Sequence, residues 1–262
     1  MTLLLPAKNK VRQSFERAAQ TYDGSARVQR WVSVRLISGL PSLLTPAVIL
    51  DAGCGTGFAQ EMLSLRFPAA HRIALDFSPA MLGMARQLEF GVVGDVESLP
   101  LKQATVGLYW SSLTAQWCDM ETLMREAHRV LWPSGALALS TLTTGTYREL
   151  EESFDKVDQY RHTLTFLALP ELEAACKAAG FTEVRVHSEP CVVYHKTLKA
   201  MLRTIKSLGA NQFGGMRRTG LMGKGVWKKL ESAYETRRTS KGLPLTYQVA
   251  FCYARKSGGT ET

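Results

Sequence analysis

The sequence predicts an α/β protein built on a mostly parallel sheet, and three short stretches predict it. Val48-Ile-Leu-Asp51 is an apolar run ending in an acid, followed at once by glycines 53, 55 and 57. Ile73-Ala-Leu75-Asp76 repeats the pattern, and Gly91-Val-Val93-Gly-Asp95-Val96 repeats it again. Strands of a parallel sheet are covered on both faces, so they read as continuous apolar runs. Open sheets of this kind bind ligands beyond the carboxyl ends of their strands, where these three acids fall.

The first joint carries the most chemistry. Without a Cβ at positions 53 and 55 the backbone can turn sharply and approach a ligand closely. A phosphate-binding loop would read G-x-G-x-x-G/A or G-x-x-x-x-G-K-[ST]. Residues 53 to 58 read Gly-Cys-Gly-Thr-Gly-Phe, with no Lys-Ser/Thr to follow. An acid about 20 residues past such a loop accepts hydrogen bonds from ribose hydroxyls. Asp76 holds that place, and Asp95 is placed to accept from an adenine amino group. Three acids without a phosphate clamp suit a cationic, phosphate-free nucleoside. Each piece alone has a plainer reading, a strand-turn-helix joint with a solvated acid.

The other elements follow in order. Val11, Phe15, Ala18 and Tyr22 make one apolar stripe, predicting a helix over residues 8–30. A second helix is expected from Val28 to about Leu40, stopping before Pro41. Tyr22-Asp23 falls near the bend, where the phenol either points into a pocket or closes the core stripe. Phe58 to Phe67 and Pro79 to Gln87 are expected helices, the latter with Ser78 as N-cap and Pro79 in its first turn. Val106 to Ser111 reads as strand four. Its exit loop, Ser111 to Trp117, offers Ser111 and Gln116 as pocket residues. A helix over Glu121–Leu131, a turn at Pro133-Ser134-Gly135 and a strand over Ala136–Thr141 come next. Helices are then expected over Thr143–Tyr160 and Glu171–Ala179, with strands over Val184–Ser188 and Leu245–Tyr253. These spans divide the chain into an N-terminal helical cap (1–44), a core (45–194 and 243–256) and a helical insertion (195–242). Lys256 onward reads as a loose tail.

The stretches LDAGCGTG (50–57), ALDFSPAMLGMAR (74–86), GDVESLPL (94–101) and RVLWPSGALALS (129–140) resemble the class I S-adenosylmethionine-dependent methyltransferases. They occur in that family's order. The resemblance implies a Rossmann-like, mostly parallel seven-stranded sheet with helices on both faces. It also implies S-adenosylmethionine as cofactor and S-adenosylhomocysteine as product. By that resemblance Gly53 and Gly55 pass under the methionine part, Asp76 holds the ribose, and Asp95 with the Val96 amide reads the adenine. Met81 packs near the adenine or is plain core, and Asp51 and Ser111 complete the expected cofactor set.

Charge is unevenly spread. The chain carries +9 overall, yet Lys196 to Lys241 holds 12 Lys and Arg against Glu231 and Glu235. A near-neutral body therefore bears one basic segment, which either attracts an acidic partner or merely solvates a face. Five scattered cysteines without C-x-x-C give neither a disulfide framework nor a zinc site, so no metal and a reducing cytoplasm are expected. The leader MTLLLPAK is too short for a secretory apolar region. No apolar run approaches the length of a membrane span.

Several further stretches are together similar to the malonyl-acyl-carrier-protein O-methyltransferase family of biotin synthesis. They are FERAAQTYDGSARVQ (15–29), SSLTAQW (111–117), STLTTGTYREL (140–150), LRTIKSLGANQ (202–212) and GLPLTYQVAFCYARK (242–256). This similarity implies a malonyl thioester, on acyl carrier protein or coenzyme A, as acceptor, and an acidic carrier protein as partner. Neither a nucleic-acid nor a membrane partner is expected. A malonyl carboxylate is already ionised at neutral pH, so its methylation needs positioning rather than a general base. Tyr22, Arg203 and Lys206 are the candidate catalytic residues. Arg203 and Lys206 share a helix face at a spacing of three, either to select the acyl carboxylate or as ordinary solvated bases. The alternatives are methylation of RNA, methylation of a small quinone-like acceptor, and a non-catalytic cofactor-binding adaptor.

Overall fold

The computed structural model of the protein describes residues 5–86, 88–157, 160, 162–207 and 223–258. Its strands are Val48–Ala52 (β1), His71–Asp76 (β2), Phe90–Val93 (β3), Val106–Ser112 (β4), Leu131–Leu142 (β5), Phe181–His195 (β6) and Leu243–Lys256 (β7). They form a seven-stranded sheet in the order β3-β2-β1-β4-β5-β7-β6. The first five strands are parallel, and β7 runs antiparallel to both neighbours. β1 and β4 lie at the centre and are buried almost throughout, as their apolar runs require.

Helices cover both faces. Arg27–Ser38 (α3), Phe58–Arg66 (α4), Arg148–Phe154 (α7), Leu198–Ser207 (α9) and Lys224–Glu235 (α10) bury Leu36, Leu63, Phe154, Ile205 and Tyr234 on one side, around Trp110 and Phe251. Lys8–Ala18 (α1), Met120–Val130 (α6) and Leu169–Ala178 (α8) bury Val11, Leu123 and Leu172 on the other, around Leu50 and Tyr109. Tyr22–Ser25 (α2) and Pro79–Met84 (α5) stand at the carboxyl edge of the sheet. The chain thus has the expected architecture of an α/β sheet with a helical cap before β1 and a helical insertion before β7.

Several spans differ from the sequence expectation. The leading helix is not continuous over 8–30: it stops after Ala18, where Thr21 turns back onto the Ala18 carbonyl, and restarts as α2 and α3. The helix after Ser78 ends at Met84, and Gln87 lies outside the described residues. Pro133–Gly135 is no free turn but an irregularity inside β5, with Ser134 at φ +63°. The helix expected over 143–160 shrinks to α7. Thr143 and Tyr147 donate their backbone N–H groups to Gln248 and Thr246 of β7, which delays the helix until Arg148. β6 is three times longer than expected. Pro190 looks like a stop signal, but β6 is an edge strand, where a missing donor costs little.

Candidate active site

Loops at the carboxyl ends of β1, β2, β3 and β4, roofed by α1 and α2, enclose a cleft of about 680 Å³, its open mouth included. That lies within the range of small-molecule sites. Its wall brings together Tyr22, Gly53, Gly55, Asp76, Met81, Asp95 and Val96, seven of the residues singled out from the sequence.

The floor is backbone. Gly55 has φ +56°, and the position its Cβ would take has no atom within 4 Å. A ligand can therefore lie directly on the chain there. At Gly53 the constraint is internal, since a Cβ would stand 2.1 Å from Thr114 Oγ1. Glycine lets the β4 exit loop close onto the β1 loop, where Thr114 donates to the Gly53 carbonyl at 3.3 Å.

Asp76 ties two loops. Its Oδ2 accepts from the Gly55 N–H at 2.9 Å and its Oδ1 from the Ser78 N–H at 2.8 Å. Each oxygen accepts more than once, so capacity remains for a ligand's hydroxyls. The group is 7% exposed, and burial raises its pKa against the lowering effect of these N–H groups. Asp95, just past the end of β3, lines the same cleft. Its Oδ1 accepts from Glu97 N–H at 2.9 Å and its Oδ2 from Lys8 Nζ at 2.5 Å. Met81 and Val96 add buried apolar surface to the same wall.

The roof is aromatic. Phe15 of α1 stands edge-on to Tyr22, Phe77 and Trp117, with centroids 6.4, 6.4 and 5.7 Å away. Tyr22 is half-buried, and desolvation raises its phenol pKa, with the Asp76 and Asp23 carboxylates adding to the effect. α2 is tied on two sides: Thr56 Oγ1 donates to Asp23 Oδ1 at 2.6 Å, and Ser207 Oγ donates to Ser25 Oγ at 2.9 Å. The cap therefore touches both the glycine loop and the insertion.

Five residues named from the sequence fall elsewhere. Ser111 is fully buried, its hydroxyl spent on the Ala52 carbonyl at 2.7 Å. β4 runs one residue further than expected, so Ser112 faces the cleft instead. Asp51 lies behind the wall at 2% exposure, where its Oδ2 accepts from Gln60 Nε2 at 2.7 Å. Burial pushes its pKa up to about 7. Gln116 holds the exit loop by donating to the Leu113 carbonyl at 2.6 Å. Arg203 and Lys206 do not reach the cleft. Leu198, Met201 and Ile205 take the buried face of α9, which leaves both cations exposed, Lys206 at the rim of a second cavity beside Phe154.

The sequence reading missed Lys8, Phe77 and Glu97 as wall residues, and it treated Phe15 only as core. Phe77 and Glu97 each directly neighbour a singled-out position, which was the signal available. Lys8 gives no such signal, because its place depends on how α1 folds back over the sheet.

Open backbone at Gly55, a buried acid with spare acceptor capacity at Asp76, and apolar Met81 and Val96 fit an S-adenosyl nucleoside. Fold and site together define a class I S-adenosylmethionine-dependent methyltransferase. The family model described as a methyltransferase domain matches residues 50–139. A malonyl-[acyl-carrier protein] O-methyltransferase of Dechloromonas aromatica is 47% identical over 251 residues, covering 96% of this chain and 95% of its own. The chain belongs to the malonyl-[acyl-carrier protein] O-methyltransferase family. It is also 38% identical, over 93% of its length, to about half (49%) of a biotin biosynthesis bifunctional protein of Cellvibrio japonicus. Among solved structures, the YcgJ protein of Bacillus subtilis shares the fold with a TM-score of 0.58 at 15% identity, covering 87% of this chain and 98% of that one.

Proposed function

We propose that this enzyme methylates the free carboxylate of a malonyl thioester in the pimeloyl-forming part of biotin synthesis. Likeness to the Dechloromonas methyltransferase runs through cap, core and insertion alike, and that carries the reading. The cofactor supplies a methyl group bound to a cationic sulfur. Gly53 and Gly55 provide its bed, Asp76 accepts from the ribose hydroxyls, Asp95 and the Val96 amide meet the adenine, and Met81 packs beside it.

The acceptor carboxylate is a nucleophile without help at neutral pH, so these residues orient and desolvate rather than move a proton. Phe15, Tyr22 and Trp117 exclude water from the reacting end. The same exclusion strengthens every electrostatic contact inside.

The insertion meets the carrier. Lys196, Lys199, Lys224, Lys228 and Lys229 are exposed on it, whereas Arg237 and Arg238 are held by Glu152 and Glu235. Arg217, Arg218 and most of the IKSLGAN stretch lie outside the described residues. The free lysines suit an acidic carrier protein and steer its approach. Tyr234 offers no ring for base stacking, since it is fully buried and donates to the Pro244 carbonyl at 2.7 Å. Among the described residues no helix is long and apolar enough to cross a membrane.

Labelled S-adenosylmethionine offered with malonyl-carrier protein, malonyl-coenzyme A or bulk RNA tests the proposal. Base-labile label is expected on the malonyl thioesters. Label confined to RNA would overturn it.

A further inference from the structure

Lys8 stands in the first turn of α1, the helix that roofs the cofactor cleft, and its ammonium bridges two acids. Its Nζ lies 2.5 Å from Asp95 Oδ2 and 2.9 Å from Glu97 Oε2. Neither acid is idle otherwise. Asp95 Oδ1 accepts from the Glu97 N–H, and Glu97 Oε1 accepts from the Asp119 N–H at 3.1 Å. Lys8 itself lines the cleft, together with Val11 and Phe15 of the same helix. Lys8 therefore ties the roof helix to the loop after β3, at the acid assigned to the adenine.

The pair also occupies an acceptor. Asp95 Oδ1 already accepts from the Glu97 N–H and Oδ2 from Lys8, so an adenine amino group read by this acid would meet the ammonium at Oδ2. An amino group arriving there must share that oxygen or displace the ammonium, which keeps Glu97 as a second partner. A nucleoside leaving must pass α1, which the same ammonium holds down. Entry and exit thus meet one obstacle.

We propose that Lys8 is a positioning residue that gates cofactor exchange, slowing both binding and release without adding appreciably to equilibrium affinity. This rests on the assignment of Asp95 to the adenine. The pair is partly exposed, with the Lys8 side chain 47% and the Asp95 side chain 36% accessible. Its strength is therefore modest and salt-sensitive, as suits a gate that opens in every turnover.

Stopped-flow fluorescence of S-adenosylhomocysteine binding tests this, since Trp117 lines the cleft and reports occupancy. The uncharged sulfur of this ligand avoids confusing gating with attraction of a cation. In Lys8→Met both association and dissociation rates are expected to rise about fivefold, with Kd changed less than about twofold. Lys8→Arg should restore slow exchange. Raising salt should speed exchange in the wild type and leave Lys8→Met unaffected. Unchanged rates in Lys8→Met would show an idle surface pair and overturn the proposal. A faster release with unchanged association would also overturn it, by making Lys8 a plain contributor to affinity. Asp95→Asn distinguishes the underlying assignment: if its Kd equals the wild-type value, Asp95 does not read the adenine, whatever Lys8 does.

Discussion

The hydroxyl of Thr56 donates to Asp23 Oδ1 at 2.6 Å, so the glycine loop and the N-terminal cap are held as one hydrogen-bonded unit. Replacing Thr56 by valine keeps the shape and removes that bond. Because Asp23 is exposed, the loss should fall below the range for a buried charged acceptor and match an ordinary hydrogen bond, about 1 kcal/mol. Cofactor affinity measured by calorimetry is then expected to fall about fivefold, with the melting temperature little changed.

Asp76→Asn should weaken cofactor binding far more. The ribose hydroxyls lose a charged acceptor, and bonds to charged groups are worth about 1.5–3 kcal/mol each. Equilibrium binding to the folded variant should show a loss of at least tenfold. An unaltered affinity would remove Asp76 from the ribose site.

Turnover at saturating cofactor should be flat from about pH 6 to 8, because the acceptor carboxylate titrates far below that window. Initial rates across the range provide the check. A tenfold rise per pH unit would signal a general base and a different acceptor.

Asp51 sets a pH dependence of stability instead. Burial raises its folded-state pKa to about 7, above the value of an unfolded aspartate. A raised acid favours the fold in its protonated form, so its contribution is full below about pH 4 and lost as the pH climbs to 7. Relative to Asp51→Asn, the wild type should lose up to about 4 kcal/mol across that interval. Paired thermal melts at pH 4.5 and 7.5 measure the difference, which disappears if Asp51 is ionised throughout.

Reversal of Lys228 and Lys229 to glutamate should slow association with malonyl-carrier protein about tenfold at low salt and flatten its salt dependence. Coenzyme A thioesters should be affected less. Surface plasmon resonance with the carrier, run beside turnover on both thioesters, separates docking from chemistry.

The cofactor half of the cleft was legible in the sequence because it is built from strand ends. Gly53, Asp76 and Asp95 each follow an apolar run, and the parallel register that aligns those runs carries their tips to one edge. The acceptor half was less legible. Arg203 and Lys206 share a helix face in any helix, but only the packing of Met201 and Ile205 decides which way that face points. Ser111 failed by one residue, because strand alternation sends neighbours to opposite sides and β4 ends one position later than its apolar run suggests. Asp51 failed for another reason. It ends its run just as Asp76 does, yet Gln60 reaches back from α4 to claim it.

The reversed strand β7 has a consequence for how the chain is made. It fills the gap between β5 and β6, and it is synthesised after both and after the whole insertion. Until β7 emerges, β5 and β6 have no shared partner, and each presents an open hydrogen-bonding edge to the cell. Emerging chains with such edges are prone to pair with one another. The cofactor loops, by contrast, hang on strands β1 to β4, which are all translated before β5 ends. A ribosome-bound intermediate could therefore hold a formed nucleoside cradle while its sheet is still incomplete, and early cofactor capture would favour that half of the protein before the last strand arrives.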